Sequence, residues 1–263
     1  MSDDLVLRSN EGNVAILTLN RPQALNALSD AMIAALSAAL TTLAGEPDAK
    51  AIILRANGKA FCAGHDLKEM QAGRATPDHG RAYFADLFTR CAALMSQIVH
   101  QPQPVIAEVH GTAVAAGCQL VATCDMAVAA ENARFGVNGV NIGLFCSTPM
   151  VALTRNVARK HAFELLTTGD IIDAPHAARI GLVNRVVPNA SLAAETMWLA
   201  GTVASKLGAA VKIGKRAFYE QAEMDLATAY AHTAAVMVEN MLWRDTDEGI
   251  TAFIEKRAPD WKG

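Results

Sequence analysis

The stretch VIAEVHGTAVAAGCQLVATC, running from Val105 to Cys124, decides the architecture. Its first five residues, Val105 to Val109, are aliphatic and partly β-branched, and predict a strand. Small residues follow. Gly117 to Cys124 then carries no charge and predicts a buried helix. Met126 to Ala130 begins a further strand at once. Toward the N-terminus, Ala82 to His100 predicts a helix that stops before Pro102 and Pro104, because a residue preceding proline is pushed out of the helical region. Residues 71–81 are polar and contain glycine, and predict a mobile loop. Ala51 to Arg55 predicts a strand closed by an Asn57-Gly58 turn. Ser29 to Leu43 has helical spacing, with Ser29 or Asp30 as the N-cap and Gly45 just past its end. Val14 to Leu19 is another strand, bounded by Gly12 and by Arg21-Pro22. Strands alternating with helices predict an α/β fold with a parallel sheet covered on both faces. From Ser191 to about Lys256 the pattern is helical almost throughout. The chain thus divides into an α/β core, 1–190, and a helical region, 191–263, expected to pack on that core or on a neighbouring subunit.

Composition narrows the class. The chain has 263 residues, 52% of them hydrophobic and 5% aromatic, enough for one large domain of close-packed helices on a buried sheet. A formal net charge of −3 argues against a nucleic-acid partner. Cys62, Cys91, Cys118, Cys124 and Cys146 are odd in number and show no CxxC pair, so they read as reduced thiols of a cytoplasmic protein. Met1-Ser2-Asp3-Asp4 is acidic and lacks an apolar signal region, and no apolar run of about 20 residues predicts a membrane span. His79, His100, His161, His176 and His232 have no metal-ligand spacing, so no metal is expected.

Two segments carry the chemistry. The first, Lys59 to Met70, reads KAFCAGHDLKEM and opens a helix at Asp66; the second is His110 to Leu120. Each passes from a strand through small residues into a helix, so each presents free N–H groups at a helix N-terminus. Small residues also let a ligand approach the backbone. Two such corners facing one point would form an oxyanion hole, worth roughly 10² to 10³ in rate per donor. The same residues also suit a strand-to-helix turn that needs small side chains for packing alone.

The AFCAGHDLKEM string, followed by a strand and then AAGCQLVATCDMAVA, resembles the crotonase (enoyl-CoA hydratase/isomerase) superfamily. The resemblance spans nearly the whole chain. LNRPQALNAL, from Leu19 to Leu28, is similar to the N-terminal signature of the superfamily, and Phe253 to Arg257 to its C-terminal one. The resemblance implies a spiral of ββα units with a helical tail, assembled as a homotrimer or a dimer of trimers. It implies an acyl-coenzyme A thioester as substrate, with coenzyme A part of that substrate and no permanently bound cofactor. The oxyanion donors would be the backbone N–H groups of His65 and Ala116. Ala24, Ala63, Gly64, His65, Asp66, Leu67 and Lys68 would hold the coenzyme, and Phe253 and Lys256 would touch it from an adjacent subunit.

The chain departs from the superfamily at both hydratase glutamates. Gln119 and Gly139 occupy those positions. An amide is no general base near neutral pH, and glycine has no side chain. Gln119, one turn after Ala116, either hydrogen-bonds a water or substrate hydroxyl, or satisfies nearby backbone. Cys146 and Ser147, in GLFCSTP, are the polar groups of the segment that aligns with the acyl-pocket loop; Ser147 is expected to cap the next helix. Met70, Leu87 and Phe145 are expected as apolar lining. The combined motifs resemble one branch, the enoyl-CoA hydratase domain-containing protein 3 group, which shares the missing carboxylates. The resemblance implies a hydratase or isomerase acting through a thioester enolate. Hydrolysis or another lyase reaction in the same pocket is the alternative, and non-catalytic acyl-CoA binding a third. Among the remaining charged groups, Asp66 reads as a helix N-cap, Glu108 as an outer-face ion pair, and His110 and Asp125 as structural. The charges from Glu239 to Arg257 read as a solvated helix face or subunit contact.

Overall fold

A computed structural model of the chain describes residues 4–262. The acidic start from Met1 to Asp3 lies outside the described residues. The chain opens with an antiparallel pair, β1 (Val6–Glu11) and β2 (Val14–Leu19), followed by helix α1 (Asp30–Ala44). Ser29 caps α1, its Oγ accepting from Met32 N at 3.1 Å, and Met32, Ile33, Leu36, Leu40 and Leu43 form the buried stripe.

Three ββα units follow. The first is β3 (Ala51–Ala56), β4 (Ala60–Cys62) and α2 (Leu67–Arg74), after which the long α3 (Arg81–His100) returns across the core. The second is β5 (Val105–Val109), β6 (Thr112–Val114) and α4 (Ala116–Thr123). The third is β7 (Met126–Ala130), β8 (Arg134–Gly136) and, after a 3-10 segment at Asn138–Ile142, α5 (Pro149–Asn156). In each unit the first strand joins one sheet and the second strand another. The larger sheet has the order β1-β2-β3-β5-β7-β10 and is parallel from β2 onward; the smaller is β4-β6-β8-β9. The chain then runs through α6 (Arg159–Thr168), β9 (Ile172–Asp173), which completes the smaller sheet, α7 (Ala174–Arg179) and β10 (Arg185–Val187), which completes the larger. The α/β class, the ββα units and the helical tail are as expected.

Strand alternation divides the large sheet into two apolar faces. Leu17, Leu19, Ile52, Leu54, Val105 and Ala107 pack into the main core with α1, α3 and α4. Val14, Ile16, Ala51, Ile53 and Ile106 face Ala200 and Ala204 of α8 (Leu192–Ala204). The first helix of the tail therefore covers the second face of the sheet. The next, α9 (Gly208–Gln221), is anchored by a buried ion pair: Lys215 Nζ lies 2.6 Å from Asp125 Oδ2 and also donates to the carbonyls of Ile98 and Gln103. Asp125 further accepts from Val105 N at 2.6 Å and Tyr219 Oη at 2.8 Å. Burial pushes the Lys215 ammonium below its ordinary pKa, with Asp125 opposing.

The last helices, α10 (Leu226–Met241) and α11 (Arg244–Glu255), expose large apolar side chains, among them Leu226, Met237, Leu242, Phe253 and Ile254. Three expectations are corrected here. Residues 71–81 are not one loop: α2 continues to Arg74, and residues 75–80 form a turn in which Asp78 accepts from Gly80 N and Ala82 N. The charges near the C-terminus are not all a solvated face, since Asp245 is buried beside Arg244 and accepts from Lys262 N. Glu108 forms no ion pair among the described residues. It is buried, it alternates with Ala107 and so shares the α8 face with Ile106, and burial raises its pKa while Arg55 lowers it. All five cysteines are free and buried.

Candidate active site

The two corners meet. A Cβ placed on Gly64 would lie 3.0 Å from Ala115 Cβ, 3.3 Å from Val114 O and 3.5 Å from Ala116 N. One placed on Gly117 would lie 2.1 Å from Cys62 O. Glycine is thus required at both positions by close backbone approach, and at Gly64 also by its φ of +94°. The contact follows from the small sheet, where β4 pairs with β6 in parallel, so both chains leave their strands in the same direction.

The N-terminal signature is stitched to the first corner. Leu28 N donates to Gly64 O at 2.7 Å and Ala63 N to Leu25 O at 3.1 Å. Leu25 and Asn26 both have positive φ, and buried Asn26 donates to Asn57 O and Ala60 O. Arg21 reaches Asp66 at 2.7 Å. Asp66 is the N-cap of α2, accepting from Lys68 N and Glu69 N. Burial alone would raise its pKa, but the Arg21 hydrogen bond and the two N–H groups outweigh it and hold the carboxyl below its ordinary value. These bonds bring Ala24, Ala63, Gly64, His65 and Asp66 together, with Leu67 and Lys68 exposed on the rim. Phe253 and Lys256 are not brought to this cluster by any hydrogen bond or ion pair among the described residues; Phe253 on α11 and Lys256 at its end are both exposed.

At the second corner Ala115 has φ 49° and ψ −120°, a conformation that L residues avoid, at a cost on the order of 1–3 kcal/mol. The twist places Ala116 as the first residue of α4, whose eight residues are all buried. Ala116 N–H has no acceptor within the helix, and neither it nor His65 N–H donates in the surrounding turns of the described residues. The helix terminus adds a partial positive charge that burial leaves unscreened. Two bare donors beside a helix N-terminus suit an oxygen that gains negative charge. Ala115, Asn26 and Arg21 were not apparent as site residues in the sequence; the quoted N-terminal signature contains the last two, but periodicity gives no sign of their contacts.

Gln119 is buried on α4, and its Oε1 lacks a hydrogen-bond partner among the described residues. Gly139 is buried too, and a Cβ there would meet Leu144 O at 2.3 Å and Cys146 Sγ at 2.8 Å. The backbone therefore leaves no room for a side chain at residue 139 without a shift. Ser147 does not cap α5: Thr148 is the N-cap residue, without a side-chain bond, and the exposed Ser147 hydroxyl donates to Phe145 O at 3.4 Å. The Cys146 thiol is pushed up by burial, with the Gly139 N–H opposing. Of the expected lining residues, Leu87 is core, Met70 half-buried and Phe145 40% exposed. A cavity of about 430 Å³ lies elsewhere, beside Lys215 and Tyr219.

Comparison with known proteins adds the following. The profile of the enoyl-CoA hydratase/isomerase family matches residues 9–263. The human protein named enoyl-CoA hydratase domain-containing protein 3, mitochondrial, is 49% identical over 245 residues, covering 93% of this chain and 79% of that protein. The crystal structure of human enoyl-CoA hydratase domain-containing protein 3 superposes with a TM-score of 0.93 at 46% identity, covering 98% of this chain and 100% of that one. That of a Mycobacterium smegmatis enoyl-CoA hydratase gives 0.94 at 53% identity, covering 98% and 99%. The relatives correct one expectation. The human, mouse and frog relatives carry names that place them in mitochondria, against the cytoplasmic reading. Free, buried thiols do not distinguish one compartment from another.

Proposed function

The chain belongs to the enoyl-CoA hydratase/isomerase family, and from that premise we propose that it is an acyl-CoA enzyme that stabilises a thioester enolate. The reading is carried by one observation: the backbones at Gly64 and Ala115-Ala116 are in contact, with bare N–H groups on His65 and Ala116 on either side. The thioester oxygen would accept from both. Charge that develops on it during enolate formation is stabilised by donors already fixed in place. Ala24, Ala63, Gly64, Asp66, Leu67 and Lys68 would hold the coenzyme at the rim, with coenzyme A entering and leaving as part of the substrate and no metal taking part.

Gln119 is the polar side chain nearest in sequence to the second donor. It would orient a water or a β-hydroxyl, since an amide donates and accepts but does not take a proton. No carboxylate fills the two hydratase positions, so the reaction is a hydration or isomerisation without the usual glutamate pair. Burial of the Cys146 thiol and a Ser147 hydroxyl that is hydrogen-bonded to a backbone carbonyl speak against a covalent acyl-enzyme route to hydrolysis.

We also read the exposed apolar faces of α10 and α11 as subunit contacts of a homotrimer or dimer of trimers, through which Phe253 and Lys256 would reach a neighbour's coenzyme. Sedimentation equilibrium giving a monomer at micromolar concentration would remove that part. The test of the activity is the fall of enoyl absorbance when crotonyl-CoA and longer enoyl-CoA thioesters meet the protein, slowed by Gln119→Ala. Tight thioester binding with constant absorbance for every chain length would leave a binding protein in place of an enzyme.

A further inference from the structure

A backbone donor is aimed by the rest of its peptide unit. In a planar trans peptide the C=O and the N–H point in opposite directions, so whatever fixes the carbonyl also fixes the donor. The two candidate donors, His65 N–H and Ala116 N–H, share peptide units with Gly64 O and Ala115 O. Ala115 O accepts from Gln119 N at 3.0 Å, so the Ala116 N–H is aimed by the first turn of its own helix. Gly64 O has no such support from α2, which begins only at Leu67 and contains no buried residue. Its partner is Leu28 N at 2.7 Å, across a β-bridge that pairs Leu28 with His65. Gly64 is a glycine at φ +94°, where the following peptide unit can turn over with little steric resistance. The bond from Leu28 keeps the His65 N–H pointing away from Leu28.

Leu28 N is presented by the segment 21–28, which folds back with Leu25 and Asn26 both left-handed, at φ 51° and 52°. At its centre lies the fully buried Asn26 side chain. Asn26 Oδ1 accepts from Arg21 N at 2.8 Å, and Nδ2 donates to Asn57 O at 2.8 Å and Ala60 O at 2.9 Å. These partners fix which way the amide lies, because two carbonyls need a donor and one N–H needs an acceptor. Ala60 opens β4, the strand that runs toward Gly64, and Asn57 lies in the turn before it. Asn26 therefore clamps the segment that carries Leu28 N to the strand that carries Gly64 O. We infer that Asn26 is a positioning residue for the first oxyanion donor: its amide holds Leu28 N against Gly64 O, and that bond aims the His65 N–H. An aspartate of the same shape would place an oxygen where two carbonyls need a donor. A glycine would keep the positive φ and lose all three bonds. The inference rests on the oxyanion reading above and adds to it the side chain that aims the first donor.

The test is infrared difference spectroscopy of bound hexanoyl-CoA, isotope-labelled at the thioester carbonyl, which hydration cannot consume. In the parent protein the carbonyl band is expected below its position in free hexanoyl-CoA, because two donors draw electron density onto the oxygen. Asn26→Gly and Asn26→Asp should each move the band back toward the free position. Calorimetric affinity should fall by less than about tenfold, the share of one net hydrogen bond. Lys215→Met, outside both corners, controls for a general loosening of the chain and should leave the band where the parent has it. A band that stays lowered in both Asn26 variants, or that moves equally in Lys215→Met, overturns the positioning role and leaves the oxyanion reading intact. Loss of the folded state in both Asn26 variants would make Asn26 a folding residue and overturn the role as well. A parent band at the free position, or no binding of hexanoyl-CoA to the parent, removes the oxyanion reading itself and the inference with it.

Discussion

Gly64 and Ala115 touch across the two corners: a single methyl on Gly64 would stand 3.0 Å from Ala115 Cβ. The approach of the two corners is thus set by backbone, with no large side chain between Gly64 and Ala115.

Gly64→Ala is therefore expected to act on turnover more than on folding. The added carbon also has to tolerate a φ of +94°. Moving one donor should lower kcat/KM on the best enoyl-CoA by roughly 10² to 10³, with the circular dichroism of the folded chain retained. Full activity in a folded Gly64→Ala protein would show that the donors are elsewhere.

His65 makes stability depend on pH in a defined direction. Burial holds its pKa below the ordinary value of 6.5 in the folded chain, against a weaker upward pull from Leu28 O. Below pH 6.5 the unfolded chain takes up a proton that the folded chain refuses. Stability is then lost as pH falls from 6.5 toward the folded pKa, by at most about 1.4 kcal/mol per pH unit. Urea unfolding between pH 5 and 7.5 should show a shallower slope for His65→Gln than for the parent chain; equal slopes would contradict the assignment.

Placing a carboxylate at residue 119 and at residue 139 should have unequal results. Gln119→Glu changes only the terminal group on α4, and the protein should fold with an altered pH–rate profile. Gly139→Glu forces a Cβ to 2.3 Å from Leu144 O, so the 3-10 segment has to shift. A loss of about 1–3 kcal/mol is expected from overpacking, read from the melting midpoint. A Gly139→Glu protein as stable as the parent would mean that the segment yields freely.

The Lys215–Asp125 pair predicts the largest single loss of stability. Asp125→Asn leaves a buried ammonium with carbonyl partners alone, and also weakens the bonds from Val105 N and Tyr219 Oη. About 3–5 kcal/mol should be lost, measured by urea unfolding. Lys215→Met, which removes the charge and keeps an apolar stem, should lose less. The reverse order would show that Asp125, and not the lysine, bears the burial penalty.

The parts legible in the sequence are those that form apolar, partly β-branched runs of five or six residues, as strands buried on both faces do. The strands at Val14–Leu19, Ala51–Ala56, Val105–Val109 and Met126–Ala130 are of this kind, as is the capped helix after Ser29. The small sheet escaped because Ala60–Cys62, Thr112–Val114 and Arg134–Gly136 are three residues each, too short for any period to register. The edge strand Val6–Glu11 escaped because it is mostly exposed and polar. The corners themselves were readable as small-residue segments, but their contact was not, since it depends on the pairing of β4 with β6. The strain at Ala115 has no signature either, because alanine is a residue that prefers helix. Lys215 finds Asp125 across 90 positions of chain, a distance at which spacing carries no information.

The five sealed cysteines make the molecule its own stopwatch. Burial drives the Cys62 and Cys118 thiols up to about 12 and Cys91 to about 11, so an alkylating reagent at neutral pH finds almost no thiolate while the core stays shut. Each sulfur that becomes labelled then records one opening of the layer around it. Cys146 marks the segment after β8, Cys91 the helix α3, and Cys124 the C-terminal end of α4. Mass spectrometry of a timed labelling series would read the order in which the layers part without any added probe.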